Sequence, residues 1–296
     1  MKKKGLFLWK LLRNGGDGSI RKKKLGQVFL KDANIHRKIL RHTSLPPQAI
    51  GVEIGCGEGD LSRHLASQCK KLYIIEIDPE CIEKTKAVIA LGPQISNRFG
   101  DRLSDLEHVT FIHADILKDR FQSVMEPTFH IVANIPYYLS AKMMKLLVSV
   151  RERIGAATLM VQKEFAKKLT AESGSEEYTS LTLFVRFYFE IQYLFTVSKT
   201  CFRPIPSVDS AVIHIIPRDK PLFSVNEDLF FKLIRTGFAK RRKTLLHCLS
   251  HSEFHSERLR ALPFWTTHPS IRAEALSLEA FYELYRQMGN DLCYTR

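Results

Sequence analysis

The feature that most constrains the fold is a glycine-rich segment that directly follows a short apolar run. The run covers residues 49–54 and leads into Gly55, Gly57 and Gly59, after which the spacing of apolar residues becomes helical. Glycine has no Cβ, so the backbone can turn sharply there and can approach a bound molecule closely. A buried strand, a glycine turn and a helix in this order are typical of the first unit of a parallel α/β sheet.

Strand and helix patterns alternate on both sides of this segment. Apolar residues at helical spacing mark residues 33–42, 61–69 and 79–91. Short apolar runs that predict strands cover residues 49–54, 72–77, 109–113, 129–133 and 157–162. This alternation predicts a mainly parallel sheet with helices on both faces. Residues 189–197 and 210–216 predict a later antiparallel pair of strands, and residues 181–188 fit either a helix or a strand.

The pattern changes after Pro217. Residues 228–249, 256–262 and 277–289 have helical spacing, and no clear strand lies among them. The sequence therefore predicts three parts. These are a flexible basic extension over residues 1–20, an α/β domain over residues 21–217 and a small all-helical domain over residues 218–296.

The charge is strongly positive and unevenly distributed. The net charge is +14, and residues 1–24 contain nine Lys or Arg residues against one Asp. A second basic cluster contains Lys240, Arg241, Arg242 and Lys243. Clustered Lys and Arg release counterions from phosphates, so this distribution favours a nucleic-acid partner.

Membrane and metal sites are not expected from the sequence. No apolar run approaches the roughly 18 residues that a membrane helix needs, and the N-terminal residues lack a signal-peptide cleavage pattern. We therefore expect a cytosolic protein. The six cysteines form no CxxC pair and no Cys/His finger spacing, which predicts reduced, mostly buried thiols and no structural metal.

Acidic residues near the glycine segment distinguish two cofactors. Dinucleotide-binding loops have the spacing G-x-G-x-x-G, but Gly55, Gly57 and Gly59 give G-x-G-x-G, and Glu58 would repel a pyrophosphate. S-adenosylmethionine has no phosphate and is cationic at its sulfonium and amine, so it suits an acidic surrounding. Glu76 ends the next strand, where a carboxylate accepts hydrogen bonds from ribose hydroxyls. Asp115 ends the third strand and would either accept from the adenine amine or cap the following turn.

The most specific motif is the tetrapeptide Asn134-Ile135-Pro136-Tyr137, which follows the fourth predicted strand at residues 129–133. The exocyclic nitrogen of adenine is a weak nucleophile because its lone pair is delocalised into the ring. The side-chain oxygen of Asn134 and a backbone carbonyl of Ile135 or Pro136 can hold its two N–H groups and offset the charge that develops during methyl transfer. Pro136 stiffens the loop, and Tyr137 offers a flat surface for the base.

Phe202 has two interpretations. It begins the segment Phe202-Arg-Pro-Ile-Pro206 and could lie on the other side of the target base from Tyr137. It could equally be a core phenylalanine in front of a proline-rich turn.

Together these motifs resemble the ribosomal RNA adenine dimethyltransferase family, and within it the bacterial KsgA (RsmA) type that modifies small-subunit RNA. The resemblance extends from about Lys22 to Met288. It rests on the order of the motifs GQVFL (26–30), EIGCGEG (53–59), EIDP (76–79), ADILK (114–118), NIPYYLS (134–140), QKE (162–164), FRPIPSVDS (202–210), FAKRRKTL (238–245) and RAEAL (272–276).

The resemblance implies a Rossmann-like class I methyltransferase sheet with a small helical C-terminal domain. It implies transfer of two methyl groups from S-adenosylmethionine to each of two adjacent adenines near the 3′ end of small-subunit (16S) ribosomal RNA, during maturation of the 30S particle. Carried over by position, the family's cofactor residues are Val28, Leu30, Gly55, Glu76, Asp115 and Asn134. Tyr137 and Phe202 would hold the adenine, and Arg241, Arg242 and Lys243 would bind RNA phosphates. A monomer is expected.

The chain departs from the family pattern in three places. The family usually has Asn at the position of Val28, so a side-chain hydrogen bond to the cofactor is missing here. The spacer between Glu76 and Asp115 is long, with residues 92–105 as the expected insertion. Residues 1–20 are additional and would add nonspecific affinity for RNA.

Three other functions remain open at this point. Erm-type enzymes share the motifs around Asn134 and Phe202 and modify large-subunit RNA, although the segments 238–245 and 272–276 favour the small-subunit type. An assembly or transcription factor that binds nucleic acid, with methylation as a secondary activity, belongs to a different class. A DNA adenine methyltransferase is the third alternative.

Overall fold

A seven-stranded sheet forms the centre of the molecule. The computed structural model describes residues 28–43, 45–91, 107–254 and 257–289. The basic extension, the predicted insertion at 92–105 and the C-terminal end therefore lie outside the described residues. The strands of the described chain are β1 (Phe29–Leu30), β2 (Ile50–Ile54), β3 (Lys71–Glu76), β4 (Val109–His113), β5 (Phe129–Asn134), β6 (Ile154–Gln162), β7 (Phe189–Val197), β8 (Phe202–Arg203) and β9 (Ser210–Pro217).

The strand order in the sheet is β4-β3-β2-β5-β6-β9-β7. Strands β2 to β6 are parallel to one another, whereas β9 is antiparallel to both β6 and β7. The chain moves from β2 outward through β3 to β4 and then returns to the other side of β2 with β5. The strand order thus reverses between β2 and β5, and a crevice opens at the carboxyl ends of strands at such a point. Both the glycine segment and Asn134 lie there.

Helices cover both faces of this sheet and form the C-terminal part. They are α1 (Ala33–Thr43), α2 (Asp60–Ala66), α3 (Pro79–Leu91), α4 (Ile116–Asp119), α5 (Ser140–Ser149), α6 (Lys163–Thr170), α7 (Ser180–Tyr188), α8 (Glu227–Phe238), α9 (Leu245–Ser250), α10 (Glu257–Arg260), α11 (Phe264–Thr267) and α12 (Leu278–Met288). The predicted parallel sheet, its antiparallel pair and the helical C-terminal part are all confirmed. None of the helices in the described part of the chain has the length and apolar character that crossing a bilayer requires.

The ambiguous segment at 181–188 is helical. Helix α7 begins at a capping box in which Thr179 and Thr182 exchange hydrogen bonds between side chain and backbone. This arrangement satisfies two backbone N–H groups that the first turn of a helix leaves unpaired. The periodicity of the apolar residues alone could not distinguish helix from strand, because nearly every position of this short segment is apolar.

The predicted helix over residues 228–249 is wrong as a single element. It divides into α8 and α9, and the basic residues 240–243 form the turn between them. Thr244 caps α9 by accepting a hydrogen bond from the backbone N–H of His247. The turn lets the two helices pack on one another closely, since a Cβ at Gly237 would lie 2.6 Å from the Leu245 side chain. The predicted helix at 256–262 is also shorter in the structure, as α10.

The C-terminal helices share a core with the sheet. Phe187 of α7 is fully buried, and its ring centroid lies 5.7 Å from that of Phe230 and 5.2 Å from that of Phe231, both in α8. Each aromatic pair of this kind contributes about 0.5–1.5 kcal/mol beyond the area it buries. The boundary predicted near residue 218 therefore separates two kinds of secondary structure whose side chains form a continuous apolar cluster.

Candidate active site

The glycine segment forms the turn from β2 into α2. Gly55, Gly57 and Gly59 all have positive φ angles, of +79°, +57° and +87°. A Cβ at Gly59 would lie 2.9 Å from the Cα atom of Thr85 in α3, closer than real Cβ atoms approach. Glycine is therefore required at position 59 both for the backbone angle and for the packing of α2 on α3.

A small cavity of about 50 Å³ lies in the crevice next to this turn. Its walls come from β1, the glycine turn, β5 and β6. Among its lining residues are Leu30, Glu53, Gly55, Asn134 and Met160. Three of the predicted cofactor residues, Leu30, Gly55 and Asn134, are thus brought together although they are far apart in the sequence.

Strand β1 forms one wall of the crevice. It pairs with β8, with Leu30 opposite Phe202, and the ring of Phe29 lies against Gly57. Lys31 forms an ion pair with Glu58 of the glycine segment. The charge of Glu58, which disfavours a pyrophosphate, is therefore balanced by a neighbour within the protein.

Val28 immediately precedes β1 and is half-buried. Its side chain packs against the apolar cluster that contains Leu30 and Phe202. Val28 is not among the residues that line the small cavity. A contact from its backbone to a cofactor stays a prediction, and its side chain serves packing.

Glu76 is fixed at the end of β3, outside the walls of the small cavity. Its Oε1 accepts hydrogen bonds from the backbone N–H groups of Ile77 at 2.8 Å and Asp78 at 2.9 Å. The Cys56 thiol donates to its Oε2 at 3.7 Å. Burial raises the pKa of Glu76, against the opposing effect of the backbone N–H groups. The carboxylate is therefore held rigidly at the carboxyl edge of the sheet, next to the glycine turn.

Asp115 caps helix α4. Its Oδ1 accepts a hydrogen bond from the backbone N–H of Leu117 at 3.0 Å. The alternative that the sequence left open, a carboxylate that caps the next turn, is present in the structure. Since the cap occupies Oδ1 alone, a contact of Asp115 with the cofactor stays a prediction.

The Asn134–Tyr137 tetrapeptide leaves the sheet at the edge of the crevice. Asn134 is the last residue of β5, paired with Met160 of β6, and lines the cavity. Ile135 is buried and its backbone N–H donates to the Met160 carbonyl at 3.0 Å. The Pro136 carbonyl accepts from the backbone N–H of Leu139 at 2.8 Å, which starts a short 3₁₀ turn. Both backbone contacts hold the loop that carries the Asn134 side chain.

Tyr137 is anchored through its hydroxyl. The Tyr137 hydroxyl lies 2.9 Å from the Ser210 hydroxyl at the start of β9. This bond restrains the ring on the half-buried rim of the crevice, because both ends of the side chain are fixed. The arrangement presents a flat aromatic surface beside Asn134.

Phe202 does not lie on an open surface. Its side chain is fully buried in the cluster below β1, where it pairs with Leu30. A contact of Phe202 with the target base stays a prediction, but the structure favours the second interpretation, a core phenylalanine. The physical reason is the pairing of β1 with β8, which covers the ring and which local sequence does not reveal.

Comparisons with known proteins show the family of the chain. Residues 18–288 match the sequence model of the family described as "Ribosomal RNA adenine dimethylase". The chain belongs to this family. It is therefore a dimethylase that acts on adenine in ribosomal RNA with S-adenosylmethionine as methyl donor.

Named relatives cover nearly the whole chain. A protein of Geobacillus thermodenitrificans called "Ribosomal RNA small subunit methyltransferase A" is 36% identical over 275 residues, which is 89% of each chain. The protein of the same name from Lysinibacillus sphaericus is 35% identical over the same shares. In structure, the chain is similar to a dimethyladenosine transferase from Plasmodium falciparum, with a TM-score of 0.70, 26% identity and coverage of 89% and 98%. The 23S rRNA methyltransferase ErmE has the same fold, with a TM-score of 0.67, 23% identity and coverage of 88% and 98%.

The dimethylase crevice suits the methyl donor chemically. The backbone of the glycine turn leaves space that Cβ atoms would fill, and Glu53 faces the cavity with a buried Oε2 that has no hydrogen-bond partner. Burial raises the pKa of Glu53 to about 8, against the opposing effect of the Ser62 hydroxyl. A buried acid without a cationic partner beside a cavity fits a cationic ligand. The motif places Glu53 in β2, only two residues before Gly55, so an acid beside the glycine turn was visible in the sequence although no role was predicted for it.

The basic cluster of the dimethylase lies on the turn between α8 and α9. Arg242 and Lys243 are exposed. Arg241 is also exposed, but its Nε forms an ion pair with Glu274 at 2.6 Å and its guanidinium donates to the Glu176 carbonyl. Arg241 therefore joins the turn to the segment before α7 and to the RAEAL motif. Of the three residues predicted to bind RNA, Arg241 is therefore held by contacts within the protein. Arg242 and Lys243 form no ion pair with other described residues.

Proposed function

We propose that this dimethylase converts two adjacent adenines near the 3′ end of small-subunit (16S) ribosomal RNA to N6,N6-dimethyladenosine, in the cytoplasm, during maturation of the 30S particle. The position of Asn134 carries the proposal. It ends β5 in the cofactor crevice, next to an anchored Tyr137, in a chain whose relatives are small-subunit methyltransferases. The enzyme acts as a monomer and needs no metal.

The cofactor-binding residues in this proposal are Val28 through its backbone, Leu30, Gly55, Glu76, Asp115 and Asn134. S-adenosylmethionine, when bound, supplies a methyl group activated by its positively charged sulfur. Glu76 is already oriented by backbone N–H groups, so it can accept from ribose hydroxyls without reorganisation. The Glu53 carboxylate is the natural partner for a cationic amine in the closed part of the crevice.

Asn134 orients the adenine amine. Its side-chain oxygen accepts one N–H, and a carbonyl of Ile135 or Pro136 accepts the other. These acceptors direct the nitrogen lone pair toward the methyl group and stabilise the positive charge that forms on nitrogen. The amine loses its proton after transfer, so no dedicated general base is needed. Positioning supplies much of the rate.

Tyr137 supports the flipped base by stacking, a contribution of about 1–3 kcal/mol. Its hydrogen bond to Ser210 fixes the ring before the base arrives, which lowers the entropy lost on binding. Because Phe202 is buried and pairs with Leu30, Tyr137 provides the stacking surface and Phe202 supports the strand that carries Leu30.

Arg242 and Lys243 bind RNA phosphates at a distance from the crevice. Arg241 would hold their turn in place through Glu274, and it would add its remaining charge to the same surface. This division gives the helical part of the molecule a role in positioning the particle, while β5 and the glycine turn perform the chemistry.

The test is methyl transfer from labelled S-adenosylmethionine to small ribosomal subunits that lack the modification, with large subunits in parallel, followed by nucleoside analysis. Dimethyladenosine confined to small-subunit RNA is the expected result. Label in large-subunit RNA would reassign the chain to the Erm-type reaction. RNA binding without label in either subunit would favour an assembly factor over an enzyme.

A further inference from the structure

Exposed apolar side chains are concentrated at one edge of the active site. Six large apolar side chains are exposed among the described residues. Three of them lie on two loops: Tyr138 at 63% in the turn after β5, and Ile205 at 54% and Val208 at 41% between β8 and β9. Exposed apolar groups collected in one place mark a contact surface more often than single ones do.

The two loops form a common rim. Tyr138 belongs to the 3₁₀ turn Tyr137–Leu139, and Val208 lies two residues before Ser210. The hydrogen bond between Tyr137 and Ser210 joins the turn to the loop before β9. The rim therefore continues directly from the surface on which the target adenine would stack.

A second cavity adjoins this rim. It has a volume of about 400 Å³ and lies between the start of α6 and the loop before β9. Lys163, Lys167 and Lys199 line it, together with Val208 and Asp209. Its wall also includes Gln162, the last residue of β6. Gln162 pairs with Ser210 of β9, and Ser210 is the residue whose hydroxyl contacts Tyr137.

Among the described residues, three lysines and three acidic residues line this cavity, so the positive charge available to a ligand depends on which of them form ion pairs. Asp209 pairs with Lys163 at 3.8 Å, and Glu164 pairs with Lys168 at 2.8 Å. In the described part of the chain, Lys167 and Lys199 have no ion pair, and Glu177 is the remaining acid of the wall. Helix α6 begins here without a side-chain cap, and the backbone N–H of Lys163 donates to the Asp209 carbonyl at 3.1 Å.

We propose that this rim binds the single-stranded RNA next to the target adenine, with a flanking base stacked on Tyr138 and backbone phosphates at Lys167 and Lys199. An aromatic platform beside lysines that have no ion pair within the described part of the protein can hold an unpaired strand through base stacking and phosphate contacts. A duplex hides the faces of its bases, so the rim selects an unpaired segment. The inference rests on the proposed function and adds a recognition element outside the catalytic residues.

The experiment measures binding of the full-length protein to a fluorescent single-stranded RNA and to the same RNA in a duplex, at several salt concentrations. We expect Tyr138→Ala to weaken single-strand binding about five- to a hundredfold and Tyr138→Phe to retain it, because stacking needs the ring and not the hydroxyl. The double variant Lys167→Ala/Lys199→Ala should reduce the slope of log affinity against log salt by about 0.7 for each lysine.

Two matched controls lie at the opposite edge of the sheet. Met125 is 81% exposed in the loop before β5, and Lys220 is exposed after the end of β9. Met125→Ala and Lys220→Ala remove one apolar and one basic side chain away from the rim, so they should leave both affinities unchanged. Equal effects of Tyr138→Ala and Met125→Ala, an unaltered salt slope in the lysine double variant, or equal loss with Tyr138→Phe would each overturn the proposal.

The design separates this inference from the proposed function. Methylation of small subunits is measured with the same preparations. If the unaltered protein does not methylate them but the Tyr138 and lysine effects on RNA binding are present, the proposed function fails and the rim stands. If methylation occurs and the Tyr138 and lysine variants bind free RNA as tightly as the unaltered protein, the rim proposal fails. A loss of methylation in Tyr138→Ala with unchanged binding of free RNA would identify a protein component of the particle as the occupant, which also overturns it.

Discussion

In the described part of the chain, the side chain of Asn134 has no structural role that its hydrogen bonds would indicate. It ends β5 and lines the crevice, and its side chain forms no hydrogen bond within the described residues. Because its side-chain amide makes no hydrogen bond to these residues, the amide is available to bind a substrate in the crevice. Its neighbours Ile135 and Pro136, in contrast, make backbone hydrogen bonds that hold the loop.

Replacement of Asn134 by Ala should therefore affect chemistry far more than stability. We expect kcat for methyl transfer to fall by about 10²–10³ or more, since an acceptor for the developing charge is lost. Affinity for RNA should change by only a few fold. Single-turnover methylation and RNA titration measure the two quantities, and robust methylation by Asn134→Ala would remove this residue from the catalytic role.

Glu53 should make the stability of the protein depend on pH. Its folded-state pKa of about 8 lies above the unfolded value, so the folded protein binds the proton more tightly. The contribution of Glu53 to the free energy of unfolding is therefore fully present below about pH 4.5. It is lost as the pH rises toward 8, and it changes little above that. Because Gln cannot ionise, Glu53→Gln should be more stable than the parent at pH 9 by about 2–4 kcal/mol.

The measurement for Glu53 is chemical denaturation of the cofactor-free protein at pH 5 and pH 9. At pH 5 the parent carboxyl is neutral and the two proteins should differ little. Glu80→Gln, at an exposed position, serves as the control. A stability difference between Glu53→Gln and the parent that is the same at both pH values would show that ionisation of Glu53 is not its cause.

At the scale of elements, the turn from β2 to α2 is the most constrained connection. Its third glycine combines a left-handed backbone angle with close packing on α3. Gly174 separates these two effects, because it has nearly the same φ, +88°, but no atom within 4 Å of an added Cβ. The two positions form a natural pair for measuring what helix packing requires of the glycine loop.

We expect Gly174→Ala to cost about 1 kcal/mol, the strain of a left-handed alanine. Gly59→Ala should cost about 1–3 kcal/mol more, because its Cβ would meet the backbone of Thr85 and α2 would have to move. It should also weaken cofactor binding, since the same movement shifts Gly55 and Gly57. Thermal unfolding and cofactor titration test this, and equal costs at the two positions would contradict it.

At the scale of the whole molecule, the helical part contributes a basic turn and the sheet contributes the crevice. Their shared core fixes the distance between these two surfaces. The tether from Arg241 to Glu274 adds a polar connection between the turn and the RAEAL motif. Arg241 and its two neighbours should therefore behave differently on mutation.

Charge reversal in Arg242→Glu/Lys243→Glu should weaken RNA binding and flatten its salt dependence, by about 0.7–0.9 in slope per lost phosphate contact. Thermal stability should change little, because both side chains are exposed without ion pairs in the described chain. Arg241→Ala should also lower the melting temperature, since it removes the hydrogen bond to the Glu176 carbonyl and the ion pair with Glu274. An unchanged salt slope in the double variant would place the RNA elsewhere.

The layered α/β sheet, the glycine turn and the tetrapeptide at the end of β5 could all be predicted from the amino-acid sequence. Each depends on local signals: apolar runs of strand length, glycines that permit positive φ, and a motif whose spacing is independent of distant residues. Asn134 and Gly55 could be predicted together because carboxyl ends of parallel strands meet at one edge.

Which side chains are buried, and which charged groups pair with each other, could be seen only once the chain was folded. Pairing of β1 with β8 covered Phe202, packing of α8 on α9 divided a predicted helix, and the ion pair with Glu274 changed the role of Arg241. The second cavity beside Tyr137 likewise depends on α6 and the loop before β9, which are distant in sequence. Burial and charge pairing are contacts between segments, so no local pattern of residues encodes them.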